Sequence, residues 1–224
     1  LEFNLVEASK HVSKENKRVA KLLGVNAAAR TCTVKPAGTS SMVLGSASGV
    51  HAWHAPFYYR RMRVGKNEAL YQYMVKNMPA LVEDDEFNPE GGILTFPQKA
   101  PEGAIFRDEP ALSLLKRVRK FNLEWVREGH HDGDNTHNVS CTISLKEHEW
   151  GDVGNWMWYN RGTYNGISVL PYDGGTYVQA PFEDCIEEEY RELESHMSAI
   201  NIDDITEAED NTDLAGELAC AGGA

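Results

Sequence analysis

The sequence lacks an apolar run of the about 20 residues that a membrane-spanning helix needs. Its first residues, LEFNLVEASKHVSKENKR, also lack the basic start and apolar core of a secretion signal. Low-complexity tracts and internal repeats are missing too, because nine prolines and nineteen glycines are scattered along the 224 residues. We therefore expect a protein of the cytoplasm with no membrane contact, built as one domain followed by a tail.

Cysteine pairs at metal-ligand or redox spacing are also missing. The four cysteines, Cys32, Cys141, Cys185 and Cys220, are far apart in the chain, and no CxxC occurs. This pattern argues against a disulfide scaffold or a zinc site and favours a reducing compartment. Cys141 lies midway along a predicted strand, where core packing is the expected role.

Positive charge is scarce near the C-terminus. Residues 183–217 hold fourteen acidic residues and one base, Arg191, which leaves twenty acids against twenty-one bases in residues 1–182. A nearly neutral body with an acidic end does not favour nucleic-acid binding, which needs clustered lysine and arginine. We expect a folded part over residues 1–198 and an acidic flexible tail over residues 199–224.

Helical and strand patterns alternate along the chain. Helices are predicted in residues 5–23, 67–78, 109–129, 146–160 and 183–197. Strands are predicted in residues 29–36, 55–65, 91–98, 138–145 and 166–172. Such alternation is typical of an α/β protein whose parallel strands are joined by helical crossovers.

The stretch KPAGTSS, residues 35–41, has the features of an anion-binding turn. Pro36 ends the preceding strand, Gly38 permits close approach of a ligand, and hydroxyl side chains follow. A helix beginning near Ser40 would direct free backbone N–H groups at the space over the glycine. Phosphate would be the natural occupant of such a site, although composition alone favours an ordinary capped helix turn. The order of residues is not that of a Walker loop.

A second polar cluster, GHHDGDNTHN, contains His130, His131, Asp132, Asp134 and His137. Histidine next to aspartate is typical of HD-type metal phosphohydrolases, which gives an alternative function. Glycine and asparagine interrupt any helix here, so a polar loop without a metal is the preferred interpretation.

Aromatic residues are dense in HAWHAPFYY and NWMWYN, and we expect them to pack rather than to stack on a base. The roles of Tyr172 and Tyr177, which flank a glycine turn, and of His51 and His54 stay open.

Several motifs in one order resemble adenosylcobalamin-dependent ribonucleotide reductases. They are TVKPAGTSSMVLGSASGVHAWHAPFYYRR, HNVSCTISLKEHEWGDVGNWMW, ISVLPYDGGTYVQAPFE and TDLAGELACAGGA. The resemblance runs from about residue 20 to the end and implies the C-terminal part of the catalytic subunit, a ten-stranded α/β barrel.

The resemblance also implies the site and its partners. The substrate-phosphate contacts would be Pro36, Ala37, Gly38, Thr39 and Ser40. The cofactor would be adenosylcobalamin, held mostly outside this chain. The partners would be a ribonucleotide, the remaining N-terminal part of the reductase and a thioredoxin-like reductant.

The radical cysteine of the family has no counterpart here, because no Asn-x-Cys-x-Glu arrangement occurs. The catalytic residues are therefore unassigned, and we expect the chain to be inactive alone. Cys220 resembles the first cysteine of the family's C-terminal redox arm, while the second is not found before Ala224. A noncatalytic nucleotide-binding or assembly module is the alternative.

Overall fold

The structure, a computed structural model, describes residues 3–38, 40–172 and 177–206, with only the backbone of residues 42 and 43. The chain divides into two compact units: Leu1–Pro56 with Ala100–Gly174, and Phe57–Lys99 with Gly175–Ala224. Within the described ranges, every helix is too short or too polar to cross a bilayer. The boundary expected after residue 198 stays a prediction.

Helices and strands alternate, as the sequence predicts. The helices are α1 (Leu5–Leu23), α2 (Ser40–Val43), α3 (Ala69–Asn77), α4 (Ala111–Phe121), α5 (Trp150–Tyr159) and α6 (Glu187–Ser195). The strands are β1 (Phe57–Gly65), β2 (Val82–Asp84), β3 (Gly91–Lys99), β4 (Thr142–Leu145), β5 (Ser168–Pro171) and β6 (Phe182–Asp184). The mixed α/β class is therefore confirmed.

Helix α1 has the bounds that the sequence predicts because both of its ends are capped locally. Asn4 accepts a hydrogen bond from the Glu7 N–H at its start (3.1 Å), and Gly24 closes its end with φ of 69°. The face of α1 that is buried is not the one that its apolar residues would predict. Ser9, Ser13 and Ala20 are buried, whereas Leu22 and Leu23 are 71% and 70% exposed.

The first unit contains the predicted parallel crossover. Strands β4 and β5 pair in parallel, with Ile143 opposite Val169, and α5 lies between them in the chain. Helix α4 packs on this pair and continues as a π-helical turn, Asn122–Val126, so the helix predicted over 109–129 changes its geometry near its end. The largest buried residues of this core are Leu114, Leu115, Val118, Val126, Val139, Ile143, Leu145 and Val153.

The second unit corrects the expectation of parallel strands throughout. Its sheet has the order β2-β3-β1-β6, and every neighbouring pair is antiparallel. Arg61 of β1 lies opposite Thr95 of β3 and next to the short strand β6. Antiparallel pairing needs no helical crossover, so the alternating pattern in the sequence did not reveal it. Helix α3 packs on this sheet around Tyr71, Met74 and Leu94.

Several predicted elements also change in extent. The strand predicted over 29–36 forms only single bridges, at Arg30 with His130 and at Val34 with Val139. Strands β2 and β6 were missed, because three residues are too few to show a periodic pattern. Helix α3 has Glu68, not Asn67, as its N-cap, and α6 begins at Glu187 because residues 182–184 form β6.

Candidate functional site

The residues predicted to bind phosphate lie in a loop that starts and ends beside the segment preceding β4. Val34 donates to Asn138 O (3.3 Å) and accepts from the Ser140 N–H (2.9 Å). The chain then turns through residues 35–38, forms α2 from Ser40 and returns at His51. The sequence correctly predicts a helix beginning at Ser40, although α2 is only four residues long.

Within this loop the predicted residues differ in their surroundings. Pro36, Gly38 and Ser40 are exposed, Ala37 is half-buried, and Thr39 lies outside the described residues. A Cβ built on Gly38 would meet nothing within 4 Å. The space next to this glycine is therefore open at the Cβ position.

Ala37 is held by hydroxyl groups of the same loop. Its N–H donates to Ser48 Oγ (2.8 Å), while its carbonyl accepts from Ser48 Oγ (3.0 Å) and from Ser41 Oγ (3.1 Å). The Ala37 N–H is therefore satisfied inside the protein, and the free donors of an anion site would come from the residues that follow it.

His51, whose role the sequence left open, connects this loop to β4. Its Nε2 accepts a hydrogen bond from the Thr142 N–H (3.1 Å), and its Nδ1 lies 2.8 Å from Ser48 O. Because a backbone N–H can only donate, Nε2 must be unprotonated and Nδ1 must carry the proton. No sequence signal distinguished this histidine from the neighbouring His54.

Two of the three described cysteines, Cys32 and Cys141, are buried. Cys32 lies 3.2 Å from Ser9 Oγ, and Cys141 belongs to the core of the first unit. Burial raises the pKa of the Cys141 thiol to about 11, so it is a poor nucleophile at neutral pH. The predicted packing role of Cys141 is confirmed. Cys220, the predicted redox-arm cysteine, lies outside the described residues.

The cluster at residues 130–137 does not bring together a metal site. His131 Nε2 lies 2.9 Å from Ser13 Oγ, and His130 Nε2 lies 2.6 Å from Gly133 O. Across residues 3–38, 40–172 and 177–206, no three His, Cys, Asp or Glu side chains are placed to hold one metal ion. The ligand set of an HD-type phosphohydrolase is therefore not assembled in this part of the chain.

The expectation that the aromatic clusters pack is correct for one part of α5 and wrong for another. Trp156 packs against Tyr164, with ring centroids 6.2 Å apart. Trp158 and Tyr159 are instead 67% and 80% exposed, because they lie on the face of α5 opposite the buried Val153. Tyr172 lies at the end of β5, where the Lys146 ammonium is 5.8 Å from its ring.

Curated relatives match this chain over nearly all of its length, although no protein-family model matches it. The adenosylcobalamin-dependent ribonucleoside-triphosphate reductase of Lactobacillus acidophilus is 27% identical over 222 residues, 96% of this chain and 29% of that protein. The enzyme of the same name from Lactobacillus leichmannii is 27% identical over 226 residues, again 96% and 29%. The resemblance to adenosylcobalamin-dependent ribonucleotide reductases is confirmed.

A solved structure agrees with these reductase relatives. The crystal structure of a B12-dependent (class II) ribonucleotide reductase superposes with a TM-score of 0.73 at 23% identity, over 90% of this chain and 27% of that one. At this identity the match shows a shared fold. The chain spans less than a third of the length of the curated relatives that it matches, which fits the expectation that it corresponds to one part of a longer catalytic polypeptide.

Proposed function

We propose that this chain is the part of an adenosylcobalamin-dependent ribonucleotide reductase that binds the substrate phosphates. The observation that carries the proposal is the loop at residues 35–51, where a Cβ built on the exposed Gly38 would meet nothing within 4 Å and α2 begins at Ser40. Pro36, Ala37, Gly38, Thr39 and Ser40 are the proposed contacts. The relatives' names favour a ribonucleoside triphosphate as substrate.

In the complete enzyme, β4 and β5 would be strands of the ten-stranded barrel that the resemblance implies. The reaction would replace the ribose 2′-hydroxyl by hydrogen through thiyl-radical chemistry. The radical cysteine would come from the remaining N-terminal part of the reductase. Adenosylcobalamin, when bound, supplies the radical. Cys220 would be the first cysteine of the arm that accepts electrons from a thioredoxin-like reductant. The second cysteine that a dithiol exchange needs is not found among residues 221–224.

Two cavities among the described residues are smaller than the whole cofactor. A cavity of about 540 Å³ in the first unit is lined by Phe3, Leu5, Arg117, Lys120, Phe121 and Trp125. A cavity of about 530 Å³ in the second unit is lined by residues of α3 and by Asp203, Asp204 and Thr206. A corrin with its nucleotide tail is much larger than either volume. As the resemblance implies, we assign most of the cofactor contacts to polypeptide outside this chain.

Titration of a ribonucleoside triphosphate into the assembled enzyme tests the loop assignment. Assembly here means this chain together with a polypeptide that carries the radical cysteine. Gly38→Val should abolish measurable binding, because the valine side chain occupies the phosphate position without a clash inside the protein. Gly162→Val is the matched control, since Gly162 also has nothing within 4 Å of its Cβ position. Equal affinities of the Gly38→Val variant and the wild type would contradict the assignment.

An assay for deoxyribonucleotide product distinguishes the proposed reductase from a noncatalytic nucleotide-binding module. This chain alone, with adenosylcobalamin and a dithiol, should produce no deoxyribonucleotide. Product should appear when the polypeptide with the radical cysteine is added. Product from the chain alone would overturn the proposed division of roles. Nucleotide binding without product in the assembled complex would instead support the noncatalytic module.

A further inference from the structure

One short backbone segment, residues 138–142, holds both ends of the loop that contains Gly38. At the loop's start, Val34 exchanges hydrogen bonds with Asn138 and Ser140. At its end, the Thr142 N–H donates to His51 Nε2 (3.1 Å). The first attachment is ordinary strand pairing between backbones. The second is made by the His51 side chain. Next to it, Val50 is buried and its carbonyl accepts from the Arg117 guanidinium (3.0 Å), so His51 adds the direct bond to β4 at an end of the loop that is also held by Val50.

A continuous chain of hydrogen bonds runs from this attachment to the residue before Gly38. Because Thr142 fixes the unprotonated state of Nε2, His51 Nδ1–H donates to Ser48 O (2.8 Å). Ser48 Oγ then bonds both the N–H and the carbonyl of Ala37, at 2.8 and 3.0 Å. The order of contacts is Thr142, His51, Ser48 and Ala37.

The loop is also closed tightly at its base, which makes these contacts sensitive to small movements. Gly49 has φ of +61°, and a Cβ built there would lie 3.0 Å from Lys35 O. Residues 35 and 49 are therefore nearly in backbone contact. Ser48 and Ala37 are each within two residues of the close contact between Gly49 and Lys35. A movement of His51 would therefore also move Ser48 and Ala37.

We propose that His51 is a positioning residue that fixes the Gly38 loop relative to β4 through its Nδ1–H tautomer. The hydrogen-bonded connection is independent of what the loop binds. Its consequence for ribonucleotide binding rests on the proposed function above. His51 is linked to Ala37 through Ser48 and need not contact the substrate.

Two substitutions of His51 each remove one of the two hydrogen bonds that its ring makes. In His51→Asn the side-chain amide lies near the position of Nδ1, so it can donate to Ser48 O but cannot reach Thr142. In His51→Gln the amide extends to the position of Nε2, so its oxygen can accept from Thr142, while Ser48 O loses the ring donor and keeps only the backbone N–H of residue 51 (3.1 Å). His11→Asn, on the exposed side of α1, is the matched control.

The first measurement is amide hydrogen exchange of the assembled enzyme without nucleotide. His51→Asn should speed exchange at Thr142 by about five- to tenfold, the effect of losing one hydrogen bond. His51→Gln should leave Thr142 protected and speed exchange at Ala37. His11→Asn should change neither. Unchanged exchange at both Thr142 and Ala37 in both His51 variants would overturn the proposal.

The second measurement is the affinity and turnover of the same variants with a ribonucleoside triphosphate. Each His51 variant should raise KM about five- to tenfold with kcat within about twofold of wild type, because the loop's position and not the chemistry is altered. If exchange responds but KM does not, and Gly38→Val also binds normally, the proposed function fails while the positioning role stands. If Gly38→Val abolishes binding but both His51 variants keep the wild-type KM, the positioning role in substrate binding is wrong.

Discussion

Tyr71 of α3 lies directly against Gly92 of β3, so closely that a Cβ built on Gly92 would be 2.0 Å from Tyr71 Cε2. The ring fills the space that any side chain at position 92 would need. Both residues are buried beside Met74 and Leu94 in the second unit. Packing of α3 on the sheet therefore requires glycine at this position.

Gly92→Ala should destabilise the second unit by about 1–3 kcal/mol, the usual effect of overfilling a packed core. The free energy of unfolding in urea measures it. The double variant Tyr71→Ala, Gly92→Ala should lose less free energy of unfolding than the two single variants lose together, because removing the ring relieves the clash. Gly151→Ala is the control: its Cβ meets nothing in α5, and helix propensity should raise stability by up to about 1 kcal/mol. Wild-type stability in Gly92→Ala would contradict the contact.

Arg61 joins separate parts of the second unit through its guanidinium group. Its Nε is 3.3 Å from Glu83 of β2, and its Nη1 forms an ion pair with Glu183 of β6. Arg61→Met should lower the free energy of unfolding by about 1–3 kcal/mol, since two carboxylates lose their shared charged donor. The exposed pair Arg18 and Glu15 offers the control, because solvent screens this ion pair and Arg18→Met should hardly change the free energy of unfolding. Similar losses in both variants would show that Arg61 acts as an ordinary surface charge.

The Glu149 carboxylate should make the stability of the first turn of α4 depend on pH. Its carboxylate accepts from the Ala111 N–H (2.9 Å) and the Lys146 N–H (3.0 Å). Burial alone would raise the pKa of Glu149, but these two donors, with Lys146 and His148 nearby, lower it from its ordinary value of 4.5. A lowered pKa in the folded state means that the stabilisation is present above pH 4.5 and is lost as pH falls through the folded-state pKa.

Glu149→Gln should therefore reduce stability at pH 7 by about 1 kcal/mol, since the amide can accept only one of the two bonds well. The difference from wild type should shrink as the pH falls below 4.5 and through the lowered folded-state pKa of Glu149. Thermal unfolding followed by circular dichroism across that pH range measures it. Glu147→Gln, at an exposed position two residues earlier, should have little effect at any pH. A constant difference between Glu149→Gln and wild type down to pH 2 would contradict this role.

Cys185 should react slowly with alkylating reagents although it is only partly buried. Burial first, and then the carboxylates of Glu189, Asp184 and Glu183, raise its thiol pKa to about 11 from an ordinary 9.0. Its thiolate fraction at pH 8 is therefore about a hundredfold lower than that of an unperturbed thiol. Labelling of Cys185, followed by mass spectrometry, should accelerate up to pH 11, and Glu189→Gln should increase the rate at pH 8.

The same labelling experiment tests the prediction for the C-terminal cysteine. Cys220 lies among small residues, which favours exposure, so we expect it to be alkylated before the other three cysteines. Labelling of Cys32 or Cys141 ahead of Cys220 would show that the arm assignment is wrong. Faster labelling of Cys185 than of Cys220 at pH 8 would contradict the raised pKa of Cys185.

The sequence by itself determined features whose physical causes are local. Asn4 and Gly24 fix the two ends of α1 because each bonds to residues three to five positions away. Pro36 and the hydroxyls after it likewise indicated a turn into a helix at Ser40. The order of motifs was sufficient to reveal the resemblance to the reductases, since several separated segments had to agree.

Only the tertiary structure decided how distant segments pair. Residues 57–65 look like a strand whatever their direction, and their antiparallel pairing with residues 91–99 depends on contacts that no local pattern encodes. The same holds for His51, whose partner Thr142 is 91 residues away. Apolar periodicity predicted the helix of α1 correctly but not its buried face, because Ser9 and Ser13 find hydrogen-bond partners at Trp125 and Thr31. Hydrogen bonds between residues far apart in the chain are formed only when the fold brings the donors and acceptors together, and for this reason the sequence predicted the loop but not what holds it in place.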